Sequence, residues 1–146
     1  MRTDLAVPPD AVEQSLVRRY IDAWEADDIA GFVALLRSDA VLTMPPLPLR
    51  YVGRRAIASF FGLIPSGSRR PLLRRTASRA NRQPAVAAYI PMPGGQAYRA
   101  AVLSVLTLDG DAIAAITAFR DRALFPVFGL PTELGAAGMS PLPTNT

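Results

Sequence analysis

The sequence predicts an α+β fold. Its first half carries apolar residues at helical spacing, its second half alternates like strands from about Leu72 onward, and the change of period comes once. A chain of 146 residues is expected to form one domain, long enough to bury roughly 70% of the surface its unfolded form exposes. We expect an ordered core over about 9–131 and a flexible tail over 132–146.

The first helix is predicted to start at Pro8-Pro9-Asp10, with Asp10 and Glu13 as a capping box, and to run to about Ala26. Val12, Leu16, Tyr20 and Trp24 recur every four residues and form its inner stripe. Asp27 or Asp28 caps a second helix that buries Ile29, Phe32, Val33, Leu35 and Leu36. Val41 to Met44 reads as a short strand stopped by Pro45 and Pro46, which cannot donate to a ladder. After Tyr51-Val52-Gly53, a third helix sends Ile57, Phe60 and Phe61 inward.

Strands are predicted at Leu72 to Arg79, Ala85 to Pro91, Gln96 to Leu108 and Ala112 to Asp121. Pro93-Gly94-Gly95 and Asp109-Gly110 are the turn signals, the second suited to a two-residue hairpin loop. If Asp109 and Gly110 form that loop, Leu108 faces Asp111, Ser104 faces Ala115 and Tyr98 faces Asp121. One face then carries Tyr98, Ala100, Val102, Ser104 and Leu106 beside Ile113, Ala115, Thr117, Phe119 and Asp121. Apolar walls with separated polar points suit a small-molecule pocket. The opposite face, centred on Ala101, Leu103, Val105, Ala114, Ile116 and Ala118, is almost wholly apolar and should also be covered. The cover is either a second subunit, giving a homodimer, or the segment Leu124-Phe125-Pro126-Val127-Phe128 folded back.

Composition narrows the chemistry. There is no Cys and no His, and all 16 basic residues are Arg. Disulfides, thiolate nucleophiles, Cys/His zinc sites, a Ser-His-Asp triad and a Schiff-base lysine are therefore excluded, and we expect neither metal nor cofactor. No apolar run approaches the roughly 18 residues of a membrane span, and the start MRTDLAVPPD does not read as a signal peptide, so a cytoplasmic protein is expected. Between Asp39 and Asp109 there is no acid, while ten Arg fall there. Without interleaved aromatics this basic block reads as a solvated or partner-facing surface rather than a nucleic-acid footprint.

The run from Val17 to Phe61, from an aromatic-bearing helix to a strand ending in Met44-Pro45-Pro46, resembles the nuclear transport factor 2-like superfamily, specifically its SnoaL-like branch. That resemblance implies a cone-shaped α+β fold with three N-terminal helices on a curved, mostly antiparallel sheet, and a pocket whose reaction varies between members. In ketosteroid isomerases the helix-1 tyrosine of the oxyanion hole matches Tyr20, but the aspartate base falls on Met44 and the protonated acid on Ser104. In limonene epoxide hydrolases an Arg-Asp pair matches Arg120-Asp121, but their other arginine and aspartate have no counterpart near Tyr89 to Pro91. In SnoaL-like polyketide cyclases a late-strand acid matches Asp121.

Three stretches, DAWEADDIAGFVALLRSDAVLTMPPLP, GQAYRAAVLSVLTLDGDAIAAITAF and LFPVFGLP, resemble in order the SnoaL-like domain at the C-terminus of actinobacterial extracytoplasmic-function sigma factors. In that family the domain is regulatory. The sequence thus points to a module that binds a small, mainly apolar molecule. The expected lining is Trp24, Met44, Phe60, Tyr89, Tyr98, Val102, Ser104, Thr117 and Phe119. The alternative is a cyclase, isomerase or epoxide hydrolase in which Asp121 is general acid or base and Tyr20 assists.

Overall fold

The computed structural model describes residues 8–63, 72–80, 83–92 and 97–135. In chain order the elements are α1 (Asp10–Glu25), α2 (Ile29–Val33), β1 (Leu36–Thr43), β2 (Arg50–Val52), α3 (Arg54–Gly62), β3 (Leu72–Ala80), β4 (Gln83–Pro91), β5 (Tyr98–Asp109), β6 (Ala112–Phe119), α4 (Leu124–Val127) and β7 (Glu133–Leu134). The strands form one sheet in the order β2-β1-β6-β5-β4-β3, with β7 paired to β5 beyond the end of β6. All pairings are antiparallel except β1 with β6. The expected α+β class is observed, and no helix among the described residues is long and apolar enough to cross a membrane.

Local chemistry accounts for the helical starts and stops. Asp28 caps α2, its Oδ1 accepting from the Gly31 N–H at 2.9 Å. The expected capping box on α1 is replaced by Pro9 as N-cap with no side-chain cap; its carbonyl accepts from Glu13 N–H at 2.9 Å. Leu35 and Leu36 do not extend α2. Leu36 opens β1, which is twice as long as its apolar end suggests because Arg37, Ser38 and Asp39 face solvent or one another. Gly53, at φ +96°, makes the left-handed corner between β2 and α3, and its N–H donates to Ala40 O at 2.7 Å.

Two cores lie on the two faces of the sheet. The helix-side core joins Leu16, Val17, Tyr20 and Ala23 of α1, Phe32 and Ile57 to Ala40, Leu42, Val86, Leu106, Ile113, Ile116 and Ala118. The opposite core joins Ala85, Ala87, Tyr89, Ala100, Leu103 and Val105 to Phe125 of α4 and Leu134 of β7. The segment expected to fold back as a cover therefore does so, as α4. The expected end of the ordered core at Pro131 is passed by β7, while the remainder of the expected tail, 136–146, and the Pro93-Gly94-Gly95 turn lie outside the described residues.

The hairpin register differs from the expectation. Asp109 pairs with Ala112, so the loop is Gly110-Asp111, with positive φ on Gly110 (+61°). A bulge then leaves Ala114 without a partner, since Leu108 pairs with Ile113 but Thr107 with Ala115. A second bulge leaves Ala101 unpaired between β4 and β5, where Ala88 faces Val102 but Tyr89 faces Ala100. Each extra residue reverses the side-chain alternation beyond it. On β6, Ile116 and Ala118 therefore face the helices, whereas Thr117 and Phe119 take the other side.

Phe125 is fully buried and its ring meets that of Tyr89 edge-on at 5.5 Å, whereas Val127 of the same helix is 76% exposed. Phe125→Ala is expected to lower stability by about 3–5 kcal/mol, and Val127→Ala by less than about 0.5 kcal/mol, both read by urea denaturation.

Candidate functional site

The helix-side core holds an aromatic cluster at its centre. The rings of Tyr20 and Trp24, four residues apart on α1, converge on Phe32 of α2 at 5.7 and 5.0 Å. Phe61 of α3 closes on Trp24 edge-on at 4.9 Å. Phe60 stacks on Tyr51 at 4.6 Å. Met44, Val102 and Ala88 pack against the same helix-side core. Of the residues expected to line a pocket, Trp24 and Ser104 meet Tyr20, and Met44, Phe60 and Val102 pack elsewhere against that core.

Tyr20 is the chemical focus. It is buried, and burial pushes its phenol up from 10.0 to about 12, while the hydroxyl of Ser104 and the indole of Trp24 pull it partly back. It is therefore a neutral hydrogen-bond donor across the physiological range. The Trp24 Nε1–H is buried with no hydrogen-bond partner. It lies close enough to Tyr20 to act on the phenol, without meeting the geometry of a hydrogen bond. A buried unpaired donor costs about 1–3 kcal/mol, which an incoming acceptor would relieve.

The remaining candidates are elsewhere. Tyr89 is buried in the opposite core, its hydroxyl donating to Pro131 O at 2.8 Å, and Tyr98 and Phe119 pack in that core with it. Thr117 pairs with Val105 on that same face. Asp121 follows the end of β6, is exposed, and its Oδ1 accepts from the Ala123 N–H at 3.0 Å as a turn cap leading into α4. The structure thus separates Asp121 from the cluster around Tyr20. The cause is the β6 bulge, which no residue type announces: alanines recur along the strand at Ala112, Ala114 and Ala115, and any of them could be the extra one. Sequence reasoning also left out Tyr51, Phe32 and Phe61 as site residues, although the Phe60-Phe61 pair and the helical spacing placed the last two in the core.

Among the described residues no group of His, Cys, Asp or Glu could hold a metal ion. Among the described residues Arg37 forks to Asp39 at 2.7 Å and to Asp109 at 2.9 Å, partly exposed and separate from the aromatic cluster.

Comparison with known proteins agrees with the fold. A family model described as a SnoaL-like domain matches residues 17–116. Over 130 residues the chain is 36% identical to the ECF RNA polymerase sigma factor SigG of Mycobacterium tuberculosis, covering 89% of this chain and 35% of the relative. The chain thus spans about a third of the length of that curated relative. Among solved structures, an NTF-2 like protein from Burkholderia xenovorans superposes with a TM-score of 0.59 at 18% identity, covering 75% of this chain and 82% of that one. A candidate ketosteroid isomerase from Kribbella flavida gives 0.57 at 19% identity, covering 76% and 78%. At these identities the structural matches establish the shared NTF2-like fold.

The raised Tyr20 phenol makes stability depend on alkaline pH. A group held protonated more tightly in the folded state contributes fully below its unfolded value of 10.0, and the contribution is lost as pH rises from there to about 12. Wild type is expected to lose about 2–3 kcal/mol more than Tyr20→Phe across that window, measured by urea denaturation of both proteins at matched pH.

Proposed function

The chain belongs to the SnoaL-like domain family, and from that premise we propose that it binds a small, mainly apolar molecule carrying a hydrogen-bond acceptor, against the aromatic cluster of Tyr20, Trp24, Phe32 and Phe61. The observation that carries this reading is the buried, unpartnered Trp24 N–H beside a neutral phenol. Two donors set in an apolar wall select a ligand with a carbonyl or ether oxygen, because a hydrocarbon of the same shape leaves the indole unpaired. The similarity to a sigma factor supports a regulatory setting in the cytoplasm, with ligand occupancy as the signal. A homodimer through the outer sheet face would use the end away from α4, around Val105, Thr107 and Thr117.

Binding is favoured over catalysis because the groups for proton transfer are not assembled. Tyr20 can hold a developing negative charge, but the acid expected to work with it is exposed and engaged in capping a turn. Asp121→Asn is expected to leave ligand affinity unchanged and to cost less than about 2 kcal/mol, the upper range for a lost cap, measured by calorimetric titration and thermal melting. Loss of a turnover with an unchanged melting temperature would instead restore the enzymatic reading.

The binding reading is tested with 2-tetralone and its hydrocarbon counterpart tetralin, titrated by calorimetry. The ketone is expected to bind about 5- to 100-fold tighter, the range of one satisfied buried donor. Trp24→Phe should erase most of that preference. Equal affinity of ketone and hydrocarbon for wild type would reject the acceptor-binding role.

A further inference from the structure

The β6 bulge that removes Asp121 from the helix-side face brings Arg120 to it, and the β5 bulge at Ala101 does the same for Arg99. Ala88 and Val86 of β4 face the helices and Tyr89 faces away, so Ile90 returns to the helix side. On β5, Ala100 faces the opposite core, which puts Arg99 on the helix side. On β6, Ala118 faces the helices and Phe119 away, so Arg120 does the same. Arg99, Arg120 and Arg122 together line an open depression of about 270 Å³ with Ile90, Ala100 and Ala101. It continues the face occupied by Val102 and Ala118 outward, past the end of β6.

Its electrostatics are one-sided. No acid lines the depression, and none occurs anywhere between Asp39 and Asp109, which excludes carboxylates from β3, β4 and all of β5 before its last residue. Two acids flank it on the same face or in the adjoining turn. Glu133 lies opposite Arg99 in the β5–β7 pair but makes no ion pair with it, and Asp121 sits between Arg120 and Arg122 but caps Ala123. The ion pairs among the described residues all belong to Arg37. Three guanidinium groups are thus held at one concavity with no ion pair to a carboxylate among the described residues, beside Ile90, Ala100 and Ala101. Guanidinium forks bind carboxylates in pairs of parallel hydrogen bonds.

We propose that the ligand of this protein is an organic carboxylate, with its apolar body against the aromatic cluster and its carboxylate held by Arg99 and Arg120 at the outer end of the same face. This rests on the binding reading above and specifies its substrate class. Arg122, exposed at the rim, contributes attraction more than geometry.

Calorimetric titration of the full chain with 2-naphthoate, 2-tetralone and inorganic phosphate separates the two readings. We expect 2-naphthoate to bind at least about 10-fold tighter than 2-tetralone at low salt and to weaken as KCl is raised. Arg99→Gln and Arg120→Gln should each weaken 2-naphthoate about 10-fold or more while leaving 2-tetralone within about 2-fold. Arg99→Lys keeps the charge and guards against misfolding; it should fall between wild type and Arg99→Gln. If 2-tetralone binds and 2-naphthoate binds no better, the carboxylate proposal falls and the binding reading stands. Binding of 2-naphthoate that needs the arginines, with no affinity for 2-tetralone and no effect of Trp24→Phe, would remove the aromatic cluster from the site and overturn the proposal in this form. Phosphate binding as tightly as 2-naphthoate, or arginine variants that weaken both organic probes equally, would also overturn it.

Discussion

Strand β5 is buried on both faces, and the rest of the structure is arranged around that constraint. Leu106 and Leu108 are committed to the core beneath α1, α2 and α3, while Leu103 and Val105 are committed to the core beneath α4. A strand with two apolar faces cannot slide by one residue without exchanging its cores, so its neighbours must match it rather than the reverse. The bulges at Ala101 and Ala114 are where that matching is made: both extra residues are alanines, small enough to sit in an interrupted ladder without demanding a pocket of their own.

The distribution of polar groups follows from this. On the helix side the central rows of the sheet are apolar except for Ser104, whose hydroxyl meets Tyr20 reaching down from α1. The polar atoms near the centre are therefore few and neutral, and among the described side chains Arg99 and Arg120 bring charge to this face at the outer end of β5 and β6. A gradient from a neutral interior to a cationic rim would orient the carboxylate ligand proposed above, because the reverse orientation would bury the charge and leave the guanidinium groups solvated.

Much of this is legible in the amino-acid sequence, and the parts that are not share a cause. The α1 stripe, the Asp28 cap, the helix-side roles of Phe32, Ile57 and Tyr20, and the covering role of Leu124 to Phe128 follow from periodicity and side-chain chemistry acting over a few residues. Misplacement begins where a single unpaired residue changes the count. Val102, Ser104 and Leu106 lie between the two bulges and sit on the face that alternation assigns them, whereas Tyr98 and Phe119 lie beyond a bulge and sit on the other. Parity accumulates along a strand, so one local irregularity moves every later candidate, Asp121 and Arg120 included. The short β2 and β7 are hidden for a different reason: strands of 3 and 2 residues are too brief to show a period, and their pairing is set by the strands they join.

The parallel pairing of β1 with β6 joins residues near 40 to residues near 116. The chain between them carries α3 and four strands, all of which must be synthesised before that edge can close. Loop closure over such a separation is slow to be rewarded. During synthesis β1 would leave the ribosome with only β2 to pair with, and its other edge, lined by Leu36, Ala40 and Leu42, would stay open until Ala112 to Phe119 emerged. The first helices and this waiting strand thus form the stretch most in need of protection from intermolecular pairing, because the one parallel seam of the finished sheet is sewn late.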